Sequence, residues 1–132
     1  MGHFITSRKF LFSIRYALYL YVFIGFNLAL SSSYDDFFKA IEFDDAKTIQ
    51  QLIQRGFDPN TPSSDLQSPL NLAIQKNAHQ VSVVLAAHPK LQVNQPNAND
   101  ETPLMLAALK NQPALARTLI QRGADVNRPG WT

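Results

Sequence analysis

The chain contains no cysteine, so disulfides are excluded in any compartment, and thiolate zinc sites with them. Histidine is scarce. His3 lies at the start, and His79 and His88 stand too far apart for a metal-ligand pair on one helix turn. No metal or cofactor is expected. Acidic residues are absent before Asp35. Arg8, Lys9 and Arg15 account for three of the 12 basic residues, which leaves nine against all 10 acidic ones from Ser32 onward. The formal net charge of +2 and the pI near 9.0 therefore describe the beginning of the chain. The remainder is near neutral and lacks the basic stripe that nucleic acid requires. No serine has a recognisable base partner. The pairs Asp35-Asp36 and Asp44-Asp45 are expected at helix N-termini, where the helix dipole favours negative charge, so they read as caps. No catalytic residue is assigned, and the chain is not expected to be an enzyme.

What the chain does have is repetition. "LIQRGFDPN" begins at Leu52 and "LIQRGADVN" at Leu119. A second phrase recurs at half that interval: "SPLNLAIQKN" begins at Ser68 and "TPLMLAALKN" at Thr102. "DDFFKAIEFD", starting at Asp35, stands almost the same distance before Ser68. Three units follow, over residues 35–67, 68–101 and 102–131, with a truncated fourth starting at Thr132. A period in this range predicts an all-α solenoid of stacked helix pairs.

Each unit carries the same local signals. Ser68-Pro69 and Thr102-Pro103 pair an N-cap hydroxyl with proline at the first helical position, and Asp35 is the expected cap of the first unit. Small residues (Ala40, Ala73, Ala107, Ala108) allow close approach between units. Asp44, Asn77 and Asn111 stand where the first helix must end in a left-handed turn. The second helices present Leu52-Ile53, Val84-Leu85 and Leu119-Ile120 inward, supported by Ile49, Val81 and Leu115. Gly56 and Gly123 stop two of them. Pro89 occupies that place in the middle unit and requires a different exit.

Thr102-Pro103-Leu104-Met105-Leu106-Ala107-Ala108 and Gly123-Ala124-Asp125-Val126-Asn127 resemble the ankyrin repeat family, from about Asp35 to the end. The tetratricopeptide pattern, with its Trp, Leu-Gly and Tyr, is not found. Asn71 and Met105 replace the histidine usual in the family, a departure expected to loosen the tie between adjacent turns. The resemblance implies protein binding through loop tips and the exposed edge of the first helices. Carried onto this chain, the partner-binding candidates are Ser64, Asp65, Gln67, Gln75 and Lys76 at one junction. Ala98, Asn99, Glu101, Leu109 and Lys110 form the next, and Trp131 lies on the loop after it. Lys47, Gln50, Gln54, Arg117 and Gln121 read as an ordinary solvated face.

Residues 1–31 read as a targeting segment ahead of a repeat domain over 32–132. It has a basic start, an apolar run from Tyr16 to Leu30, and Ala29 and Ser31 at small-x-small spacing for cleavage after Ser31. The alternative is an uncleaved anchor extended back to Phe10 around Arg15. Both place the repeats outside the cytoplasm. The expectation is a monomeric, exported scaffold of bacterial periplasmic type that binds one protein partner and stabilises or restrains an envelope enzyme. The competing readings are a secreted effector that binds host proteins, and the binding part of an enzyme with its catalytic domain beyond residue 132. Thr132 reads as the cap of a further repeat.

Overall fold

A computed structural model of the chain describes residues 2–128. It contains six helices: α1 (Gly2–Glu42), α2 (Ala46–Gln54), α3 (Pro69–Gln75), α4 (His79–Ala87), α5 (Pro103–Leu109) and α6 (Pro113–Gln121). No strand occurs among the described residues. The chain divides into two compact units, Met1–Tyr34 and Asp35–Thr132.

The second unit is the solenoid. Its three helix pairs are the end of α1 with α2, α3 with α4, and α5 with α6. First helices stack on first helices (α3 on α5), and second on second (α2 on α4, α4 on α6). Phe37, Ile41, Ile49, Leu70, Ile74, Val81, Leu85 and Leu119 are fully buried in one core. Ala40, Ala73 and Ala107 are buried where the first helices meet. At the first repeat the Phe37 ring stacks on Phe57, with centroids 4.4 Å apart, and meets Phe38 edge-on at 5.5 Å.

The turn chemistry follows the sequence closely. Asp44, Asn77 and Asn111 adopt φ of 54°, 58° and 53°, and Gly56 and Gly123 adopt 101° and 94°. Thr102 and Ser68 accept the backbone N–H of Met105 and Asn71, each at 3.3 Å. Helix α4 ends differently. Pro89 cannot take positive φ, and the residue before a proline is pushed towards extended backbone. His88 is accordingly extended, at φ −73° and ψ 128°.

Four expectations are corrected. Asp35 caps nothing: α1 runs unbroken through it, so its backbone neighbours are already paired along the helix. The two aspartates after α1 take the capping work. Asp45 caps α2, its carboxylate accepting the Thr48 N–H at 3.1 Å and the Thr48 hydroxyl at 2.7 Å. Asp44 reaches across to the next repeat and accepts the Val81 N–H at 2.9 Å, serving α4, whose own N-cap Ala78 offers no side-chain bond. Ala108 is exposed, although the residues at its register, Ile41 and Ile74, are fully buried. Ile120 is likewise 48% exposed where Ala86 is buried. Both positions are covered by the following unit in the second repeat, and among the described residues none lies over the third. Finally, the tie between turns is not lost at Asn71, although its buried Oδ1 has no partner among the described residues. Asn71 is fully buried and its amide donates to the Gln95 carbonyl at 2.8 Å, so it makes a tie between turns with a shorter side chain.

The first unit is helical from Gly2 onward. Residues 14–25 and 27–32 are exposed on every side of the helix. The helix is long and apolar enough to cross a membrane by length and composition.

Candidate partner-binding face

Two links connect the repeats, and each ends in a small finger. In the first, the Ser63 N–H donates to the Gln67 carbonyl at 2.9 Å and the Leu66 N–H to the Ser63 carbonyl at 2.9 Å. In the second, the Asn97 N–H donates to the Glu101 carbonyl at 2.9 Å and the Asp100 N–H to the Asn97 carbonyl at 3.0 Å. A side-chain acceptor at the base of each finger holds it closed. Ser63 Oγ accepts the Gln67 N–H at 3.1 Å, and Asn97 Oδ1 accepts the Glu101 N–H at 2.9 Å. Leu66 and Asp100 occupy the same turn position with φ of 60° and 61°.

Asparagine side chains fasten the links to one another. Asn60 donates to the Lys90 carbonyl at 2.8 Å and accepts the Gln92 N–H at 2.9 Å. One repeat on, Asn94 donates to the Gly123 carbonyl at 3.5 Å and accepts the Asp125 N–H at 2.8 Å. Arg122 adds a bond to the His88 carbonyl at 2.7 Å. The fingers are therefore held by a ladder of polar bonds on a packed core, which keeps their ordering cost low when something binds them.

The candidate residues separate into two groups. Ser64 and Asp65 are exposed on the first finger, Ala98 and Asn99 on the second, and Leu109 and Lys110 at the edge of α5. Gln67 and Glu101 are half-buried at the finger bases. Glu101 accepts the Asn97 amide at 2.7 Å, and the buried Gln67 Oε1 has no hydrogen-bond partner among the described residues. Gln75 is half-buried, and Lys76 is exposed in an ion pair with Glu42 at 3.3 Å. Trp131 lies outside the described residues. Lys47, Gln50, Gln54, Arg117 and Gln121 are exposed on the second helices.

Two residues of this face were not singled out from the sequence. Leu66 is 84% exposed at a positive φ that costs a leucine about 1–2 kcal/mol relative to the right-handed region. It lines a groove between the links with Asn60, Pro62, Leu70, Leu91 and Gln95, of about 160 Å³. Its signal was its isolation, as the single apolar residue in "SSDLQS". Phe43, 79% exposed, occupies the register of Lys76 and Lys110 and borders a depression with Asp36, Lys39, Ala40, Asp45 and Thr48. With Leu109, 63% exposed, these are large apolar side chains left in water along the face.

Among the described residues no reactive constellation accompanies them. Asp45 is held below the usual carboxylate range, first by the Thr48 hydroxyl and then by the Thr48 backbone N–H, which is a capping effect. His88 Nδ1 accepts the Lys90 N–H at 3.2 Å, and His79 is exposed. No group of three potential metal ligands occurs among the described residues.

A family profile described as ankyrin repeats, three copies, matches residues 37–129. The chain belongs to the ankyrin repeat family. Ankyrin repeats are in general protein–protein interaction modules, typically without catalysis. The human transient receptor potential cation channel subfamily A member 1 is 28% identical over 85 residues, which is 64% of this chain and 8% of that protein. Alpha-latrocrustotoxin-Lt1a from Latrodectus tredecimguttatus is 34% identical over 82 residues, which is 62% of this chain and 6% of the toxin. The chain thus spans a small part of either relative.

Proposed function

We propose that this ankyrin repeat unit is an exported scaffold that holds one protein partner against its fingers and first-helix edges. In that setting the partner is an envelope protein, an enzyme among the candidates, that the repeats stabilise or restrain. The observation that carries the reading is Leu66. A leucine in the left-handed region and almost wholly in water gains nothing within the fold, so burial against a second protein accounts for its presence. Leu109 supports it from the adjacent repeat, giving apolar centres among polar groups, as interfaces have.

The test uses the full chain, an affinity pull-down from envelope extract, and circular dichroism. Leu66→Glu and Leu109→Glu are expected to weaken capture about tenfold or more each, or about 1.4 kcal/mol, with helix content unchanged. Lys47→Glu, on the solvated face, is expected to leave capture intact. Loss of capture in Lys47→Glu with retention in the two leucine variants would move the interface to the second helices.

A further inference from the structure

We propose that the segment from Phe10 to Leu30 stays on the chain as a membrane-spanning anchor, with the exposed side chains of its Tyr16–Ile24 stretch fitted to the acyl chains of a bilayer. The proposal shares with the scaffold reading only the placement of the repeats outside the cytoplasm.

Tyr16, Leu18, Tyr19, Leu20, Tyr21, Val22, Phe23 and Ile24 are consecutive or nearly so, and all are exposed. Side chains at successive positions point around the whole helix, so no charged face exists from Tyr16 to Ile24, where the tyrosine hydroxyls are the only polar side-chain groups. A helix that lies flat at a membrane surface needs such a face, whereas one that is apolar all round is immersed. The one amide in the run, Asn27, donates to the Phe23 carbonyl at 2.9 Å. One of its two N–H donors is thereby satisfied inside the helix, which lowers the cost of placing it in hydrocarbon.

Length and charge fit a span as well. The run from Phe10 to Leu30 rises about 31 Å as an α-helix, close to the thickness of a hydrocarbon core. Arg15 lies within one and a half turns of its N-terminal end, a depth from which a long basic side chain reaches the headgroups. Arg8 and Lys9 precede the run, and Asp35 and Asp36 follow it. Basic residues retained on the cytoplasmic side orient the helix with the repeats on the other side.

Helix continuity at the cleavage position favours retention over cleavage. A protease cleft takes its scissile segment in extended form. Ala29, Leu30 and Ser31 are helical, and α1 continues past them to Glu42. No proline occurs before Pro59 and no glycine between Gly25 and Gly56, so nothing in the sequence breaks the helix near that bond.

The full chain would be translated with translocation-competent membrane vesicles that carry active signal peptidase. Three readouts suffice: intact mass, resistance to alkaline carbonate extraction, and protection of the repeats from added protease. The expected result is a chain of full mass that stays in the carbonate pellet with its repeats protected. Leu20→Arg with Ile24→Arg should move the chain to the soluble fraction while circular dichroism still shows a folded repeat unit. Leu28→Pro should expose the bond after Ser31 and yield a shortened, extractable chain. A wild-type chain shortened by residues 1–31 overturns the anchor in favour of a cleaved leader. Extraction of an uncut wild-type chain by carbonate overturns it in favour of a peripheral segment, and a Leu28→Pro chain that stays uncut overturns the helical protection. Partner capture by the detergent-solubilised chain is scored separately, so failure of the anchor and failure of the binding face give different results.

Discussion

The second and third repeats can be laid over one another position by position, Ser68 upon Thr102. Where they agree, the residues build the unit: Ser68-Pro69 against Thr102-Pro103, Ala73 against Ala107, Leu85 against Leu119, Asn77 against Asn111. Where they differ, the differences fall into two kinds. Some are alternative solutions to one structural need. Asn71 ties to the next turn through its amide, whereas Met105 turns its sulfur back to the Thr102 N–H at 3.5 Å. Pro89 ends a helix by extension and Gly123 by a left-handed turn. The remainder change what the surface offers. One finger carries the bare Leu66, and the other carries Asp100, which is paired with Arg128. The helix edge after the first finger shows Gln75, and the edge after the second shows Leu109. Agreement at the caps, turns and core thus marks the scaffold, and divergence at exposed positions changes the face it displays.

The strongest way to break that division is at a position of agreement. Leu85 and Leu119 are both fully buried. Leu85→Ala and Leu119→Ala are each expected to destabilise by about 2–5 kcal/mol, since removing a buried leucine side chain leaves a cavity. Chemical denaturation measures this, and a change under about 0.5 kcal/mol at either would show that the repeats are not equivalent in their cores. Next in size is the exchange of finger chemistry. Leu66→Asp makes the first finger copy the second and is expected to lower partner affinity about tenfold without lowering stability, since aspartate tolerates the left-handed turn better than leucine; a titration against the captured partner checks it. A loss of stability instead would mean that Leu66 is a folding residue.

Asn71→Ala tests the alternative ties. It removes the bond to Gln95, for an expected loss of about 1–2 kcal/mol by denaturation. Gly123→Ala is expected to cost about 1 kcal/mol through backbone strain alone, because open space surrounds a Cβ added there. The smallest effect is electrostatic. The carboxyl of Asp45 is held low by Thr48. A depressed folded-state value adds stability above the ordinary carboxylate range, and that contribution is lost as pH falls through the lower folded value. Thermal unfolding followed below about pH 4 should show this loss, slightly steeper in the native chain than in Asp45→Asn. The carboxylate is exposed, so salt should shrink the difference.

Three helix pairs, the Ser68 and Thr102 caps, the left-handed turns and most of the core were legible in the chain alone. Those features depend on neighbours a few residues away: a hydroxyl one turn from a free N–H, a small polar residue where φ must be positive, a leucine every third or fourth position. The repeat period then aligned one unit with the next. Other features lay beyond it because they are set by contacts between distant residues. Asp44 looked like a local cap and serves a helix in the next repeat, through the Val81 N–H. Asp35 looked like a helix start, yet the chain before it is helical too. Ala108 and Ile120 have the chemistry of core residues, and their exposure depends on whether a unit lies over them. Leu66 was one letter in a polar loop until the finger placed it in water. Local sequence decides which backbone shape each residue prefers, and packing alone decides which side chains lose contact with solvent.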